Sequence, residues 1–118
     1  MKLITALIRA EKLNEVIEAL IDHRVHGVTV TEVRGFGRQF GQPVPGAELD
    51  LDLGLPRSVA LLPKVRLDLV VSDDDADALA EVVAKYARTG MIGDGKIWVS
   101  DVGSVLRVRT GDRDLAAL

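Results

Sequence analysis

The order strand, helix, strand occurs twice along this chain, and that repetition restricts the fold more than any other feature. Leu3 to Ile8 reads as a buried strand. Leu13, Val16, Ile17, Leu20 and Ile21 then follow at i, i+3, i+4, i+7 and i+8, the spacing of one apolar helix face. Gly27 marks the expected turn out of that helix, and Val28 to Val33 is rich in β-branched residues, as strands are. Further on, Val65, Leu67, Leu69 and Val71 alternate with polar Arg66 and Asp68, which is strand period. Ser72-Asp73-Asp74-Asp75 is a helix start: a hydroxyl cap, acids in the first turn and a carboxylate three residues on. Ala76, Leu79, Ala80, Val83, Tyr86 and Ala87 continue at helical spacing, with Gly90 expected to end the helix. Ile97-Trp98-Val99 is the last strand, and Lys2 and Lys64 head equivalent strands of the two units.

Two such units predict an α+β fold of ferredoxin-like type. It is a double βαβ sandwich with a four-stranded antiparallel sheet and two helices on one face. The other face must also be accounted for. In the first strand both alternating sets, Ile4, Ala6, Ile8 and Leu3, Thr5, Leu7, are largely apolar. A sheet covered by helices on one side only should be polar on the other. The uncovered face is therefore expected to pack against further copies of the chain. The competing reading is a thin monomer with scattered surface apolars.

Composition removes several function classes. A length of 118 residues suits one domain, and a net charge of −3 creates no field favouring nucleic acid or an anionic membrane. Aromatics are 3% of the chain, too few for a base-stacking platform. Cysteine is absent, so thiolate chemistry, disulfides and cysteine metal sites are excluded, in keeping with a reducing cytoplasm. No apolar run reaches membrane-spanning length, and the apolar N-terminal stretch is too short for a signal peptide.

Phe40 to Leu62 joins the two units, with all four prolines at or beside it. A connection of that length in a compact domain is usually functional or disordered. Ala47 to Leu53 alternates apolar and acidic residues, so it has the pattern of a strand that could dock.

Three glycine-flanked basic segments carry the chemistry. Gly90-Met91-Ile92-Gly93-Asp94-Gly95-Lys96 matches G-x-x-x-x-G-K, but it follows a helix, opens a strand and lacks Ser or Thr after the lysine. It is therefore not a P-loop. Closely spaced glycines still let amide N–H groups approach phosphate oxygens, and Lys96 supplies charge. Arg34-Gly35-Phe36-Gly37-Arg38-Gln39 ends the second strand. Arg107-Val108-Arg109-Thr110-Gly111 places two arginines at strand period, hence on one expected face. Together these suggest an anion site. Individually, each is also compatible with a glycine turn or a surface salt bridge.

Four stretches resemble the PII signal-transduction family in order and spacing: Met1 to Ala6, Thr29 to Gln39, Leu62 to Val65, and Ala87 to Val99 with Arg107 to Gly111. The resemblance covers nearly the whole chain outside Phe40 to Leu61. It implies a single domain over residues 1–118, with a long loop at about 37–62, a nucleotide-binding turn at about 89–96 and a C-terminal segment at 103–118. It further implies a cytoplasmic homotrimer, not an enzyme, that binds ATP or ADP in clefts between subunits and regulates nitrogen utilisation. Gly35, Gly37, Arg38 and Gln39 would line the cleft at the base of the long loop. Gly93, Asp94, Gly95 and Lys96 would form the phosphate-binding turn, and Arg107 and Arg109 would come from the adjacent subunit. Thr29 and Lys64 match further nucleotide contacts. Gln39 would help hold Mg²⁺ when ATP and 2-oxoglutarate bind together, and Lys64 would pair with an oxoglutarate carboxylate. The long loop would then dock on a regulated protein, an enzyme or a membrane transporter. No nucleic acid and no direct membrane insertion are expected.

The long loop departs from the family. Gly46-Ala47-Glu48 is kept, but Leu49 stands where the family carries its modified tyrosine, and no tyrosine occurs in the loop. The loop is longer by about six residues, well above ordinary connections. Ala10 replaces the proline usual near the first helix. Alternative functions are a divergent regulator of carbon or ion transport, without 2-oxoglutarate or uridylylation, and a structural trimer that has lost its ligand. No Ser-His-Asp set, carboxylate pair or metal cluster supports an enzyme, and His23 and His26 suit helix-end capping or solvation.

Overall fold

The computed structural model describes residues 1–37 and 61–118. The alternating segment Ala47 to Leu53, which could be strand when docked or solvated when free, lies outside the described residues, as do Arg38, Gln39 and nearly all of the long connection. The element order is β1 (Lys2–Arg9), α1 (Leu13–Asp22), β2 (Thr29–Gly35), β3 (Leu62–Val71), α2 (Asp73–Ala87) and β4 (Lys96–Asp101). The strands form one sheet in the order β2-β3-β1-β4. Every neighbouring pair is antiparallel, the arrangement expected of two interleaved βαβ units.

Register explains the core. Ile4 stands opposite Leu69, Ala6 opposite Leu67 and Ile8 opposite Val65, and all six are buried. Val16 and Leu20 of α1 and Ala76, Leu79, Val83 and Ala87 of α2 close over that face. Side chains alternate along a strand, so Leu3, Thr5 and Leu7 stand on the opposite face, which no described helix covers. That face is mixed rather than apolar throughout. Leu3 pairs with Val70 and Leu7 with Arg66, while Thr5 sits between Asp68 and Trp98. Trp98 is 42% exposed in the single chain.

Both helices end earlier than their glycines suggested. Asp22 is the last residue of α1, and Arg24, not Gly27, takes the left-handed conformation at φ 59°. The Arg24 N–H donates to Ile21 O and the Val25 N–H to Leu20 O, closing a Schellman motif. His23 caps the helix, its ring nitrogen 2.7 Å from Ala19 O. Helix α2 stops at Ala87 with Arg88 already extended, leaving Gly90 in the following turn. Its start is as expected: Ser72 Oγ accepts the Asp75 N–H and donates to the Asp75 carboxylate. Ile21 shares the apolar spacing of α1 but is 63% exposed. At 100° per residue it stands about 80° round from Leu13, on the rim of the apolar stripe.

The C-terminal segment corrects a second expectation. Arg107 and Arg109 are not successive residues of a strand face. The Arg107 N–H donates to Asp112 O, the Gly111 N–H to Arg107 O, and residues 108–110 form the intervening turn.

Candidate functional site

The glycine turn between α2 and β4 is organised around the Asp94 carboxylate. That carboxylate accepts the Thr89 N–H at 2.8 Å, the Gly90 N–H at 2.9 Å and the Thr89 hydroxyl. Arg9, at the end of β1, adds its Nε at 3.0 Å. These donors, the Thr89 hydroxyl first, hold the Asp94 carboxyl well below the usual carboxylate range. Asp94 therefore braces the turn, and its oxygens are already committed before any anion approaches. Gly90, Gly93 and Gly95 all have positive φ, at 82°, 106° and 96°. At Gly95 a Cβ would stand 1.7 Å from Leu7 O, so backbone packs where any side chain would be.

Two cations bind consecutive carbonyls of this turn. Arg9 donates to Ile92 O at 2.7 Å and Lys64 Nζ donates to Gly93 O at 2.6 Å. Arg9 and Lys64 are register partners across β1 and β3, which explains why they reach the same feature. Burial, then the neighbouring Arg9 charge, pushes the Lys64 ammonium below its ordinary pKa. Lys96 opens β4 beside the turn, paired with Leu7 in the ladder, and its side-chain ammonium has no hydrogen-bond or ion-pair partner among the described residues. A cavity of about 280 Å³ adjoins this group, bordered by Ala87, Arg88, Gly95 and Lys96. Gly35 ends β2 and Gly37 follows it, and a Cβ at either would meet open space.

Thr29 and the C-terminal arginines lie elsewhere. Thr29 begins β2 opposite Asp68 and lines an open groove of about 820 Å³ with Val70, Val105 and Leu115. β4 leads away from the glycine turn toward Asp101, which pairs with Lys2, and the Val102 N–H then reaches Met1 O. Five residue steps at the rise of a strand separate the two ends by roughly 17 Å. The Arg107 guanidinium is engaged by the Asp112 carboxylate at 3.1 Å and Leu118 O at 3.2 Å. Arg109 is exposed at the turn and has no partner among the described residues.

Of the residues singled out from sequence, Lys64, Gly93, Asp94, Gly95 and Lys96 are thus brought together within one chain. Thr29 and the segment carrying Arg107 and Arg109 form a second group at a distance. Sequence reasoning missed Arg9, and it placed Thr89 in the turn without giving it a role. Periodicity signals burial, and neither residue belongs to an apolar stripe. Among the described residues no cluster of His, Asp or Glu could hold a metal ion by itself.

The family model described as nitrogen regulatory protein P-II matches residues 1–112. The chain is 48% identical over its full length to nitrogen regulatory protein GlnK of Escherichia coli K12, covering all of that protein. It is 47% identical, again with complete coverage of both chains, to nitrogen regulatory protein P-II of Klebsiella oxytoca and to nitrogen regulatory protein P-II 1 of E. coli K12.

Proposed function

This chain belongs to the nitrogen regulatory protein P-II family, whose members are signalling proteins rather than enzymes, and on that footing we propose that it binds ATP or ADP between subunits of a homotrimer. The family binds adenine nucleotides and 2-oxoglutarate, forms trimers and regulates partner proteins. The observation that carries the reading for this chain is the braced glycine turn. Arg9 and Lys64 hold its carbonyls, while Lys96 beside it has no counter-ion among the described residues. An anionic phosphate supplies that missing charge.

The separation of the two residue groups supports a site between chains. Gly93 and Lys96 at one end, with Gly35 and Gly37, would receive the phosphates. Arg107 and Arg109 would approach from the neighbouring subunit, since their own chain holds them at the far end of β4. Thr29 would meet the nucleotide in its groove. Mg²⁺ would arrive on the nucleotide phosphates, with Gln39 as a protein ligand, and would neutralise phosphate charge there. Lys64 would pair with a 2-oxoglutarate carboxylate by releasing Gly93 O. Residues 37–62 would present the bound state to a regulated enzyme or membrane transporter in the cytoplasm. No described helix is long and apolar enough to cross a membrane.

Isothermal titration of ATP, ADP and adenosine into wild type, Lys96→Ala and Arg109→Ala tests this. Each lost charge-assisted phosphate contact should cost about 1.5–3 kcal/mol for ATP, with adenosine much less affected. Unchanged ATP affinity in both variants would place the site elsewhere. Absence of any nucleotide binding by wild type would leave only a structural trimer.

A further inference from the structure

We propose that Arg9 is a positioning residue of the phosphate site, which aims the Gly93 N–H at the anion without touching it. The proposal rests on the reading of the glycine turn as the place where nucleotide phosphates bind.

The argument begins with which donors are spent. Arg9 is largely buried, its side chain 17% exposed. Its Nε is on Asp94, one terminal nitrogen is on Ile92 O, and the other lies 3.8 Å from Glu11. The guanidinium therefore faces carbonyl and carboxylate oxygens of its own chain, and an added anion would have to displace them. Its effect must pass through the groups it holds.

Those groups fix one peptide plane. There are no cis peptide bonds among the described residues. In a trans peptide the C=O and N–H point in opposite directions. Holding Ile92 O toward the sheet thus turns the Gly93 N–H away from it. This N–H donates to no group among the described residues. The next peptide differs: Lys64 holds Gly93 O, but the Asp94 N–H is used by Met91 O at 3.3 Å. Of these two braced peptides, only the one Arg9 orients has an N–H with no acceptor among the described residues. Gly93 tolerates the required φ of 106° because it has no Cβ. The same guanidinium also anchors Asp94, which closes the turn through Thr89 and Gly90. A lysine at this position has one compact ammonium and cannot reproduce the planar two-point contact.

Titration of ATP and adenosine into wild type, Arg9→Ala, Arg9→Lys and Lys96→Ala tests the assignment, with melting curves and oligomer mass recorded for each. Arg9→Ala should weaken ATP by about tenfold, a difference easily resolved as affinity, while adenosine stays within about twofold. Arg9→Lys should fall between wild type and Arg9→Ala. Equal loss for ATP and adenosine would indicate a general structural role and overturn the proposal. Unchanged ATP affinity in Arg9→Ala, alongside a loss in Lys96→Ala, would overturn it while leaving the phosphate site in place. Unchanged ATP affinity in both would refute the site itself. If Arg9→Ala does not fold, Arg9→Lys decides: a folded variant with wild-type ATP affinity overturns the proposal, and one with selectively weakened ATP supports it.

Discussion

Thr5 is completely buried and donates its hydroxyl to Asp68 at 2.8 Å, although both residues stand on the sheet face that no described helix covers. Arg66 completes the group with Nε 2.8 Å from the other Asp68 oxygen and a terminal nitrogen 3.2 Å from the first. The Arg66 hydrogen bond, supported by Thr5, holds the Asp68 carboxyl below its ordinary pKa. A polar group satisfied in this way can be buried at an interface without leaving an unpaired charge. Asp68→Ala would leave the Thr5 hydroxyl unsatisfied. A destabilisation of about 1–3 kcal/mol is expected, nearer the low end because Asp68 is partly exposed. Urea melts measure it, and light scattering of wild type should give three times the chain mass.

Acid should destabilise the protein through three carboxylates, Asp73 beside the N-terminal ammonium among them. Asp68, Asp73 and Asp94 all have lowered pKa values in the folded chain. The unfolded state therefore binds more protons, and stability rises with pH. Their contribution is fully present above the unfolded carboxyl value, about 3.9, and is lost as pH falls through the folded values. Asp94→Asn should flatten the dependence of the urea midpoint on pH below about 4. A curve parallel to wild type would show that the Asp94 cluster does not form.

Substituting glycines should sort by geometry. Gly95→Ala meets Leu7 O at 1.7 Å and carries a φ of 96°, so the backbone must move. Gly90→Ala has a similar φ of 82° but open space. The Gly90 change should cost about 1–2 kcal/mol, the left-handed penalty alone, and the Gly95 change clearly more. Melting temperatures of the two variants decide this.

Arg24→Gly should stabilise the protein by about 1 kcal/mol, because the residue closing the Schellman motif of α1 sits at φ 59°. The larger unfolded-state entropy of glycine offsets part of the gain. A lowered melting temperature would mean that the Arg24 side chain contributes more than its backbone strain costs.

Arg107 is engaged by Asp112 before any phosphate arrives. If Arg107 takes the nucleotide phosphates as proposed, binding competes with the Asp112 carboxylate, so Asp112→Asn should tighten ATP severalfold and Arg107→Ala should weaken it. Calorimetry on both variants reads the exchange directly.

The hydrophobic periodicities determined most of the fold. Alternation at Val65 to Val71 and the helical spacing at Leu13 to Leu20 record which side chains face the core, and burial enforces that pattern residue by residue. The cap of α2 was equally legible, because Ser72 and Asp75 interact within one turn. Helix ends were not. Gly27 marked the wrong position because Arg24 accepts a left-handed conformation once Val25 and Leu20 pack in the core, and Gly90 did because Arg88 already turns to extended backbone ahead of it. The pairing of Arg9 with Lys64, and their joint hold on Ile92 and Gly93, came only from the tertiary structure. Those residues are brought together by strand register across 55 positions of sequence, from Arg9 to Lys64, and no local spacing encodes that meeting. The strand period assigned to Arg107 and Arg109 failed for the same reason. Two alternating residues do not specify a strand unless a partner strand pairs with them, and here the chain turns between them, with Arg107 bonded to Asp112.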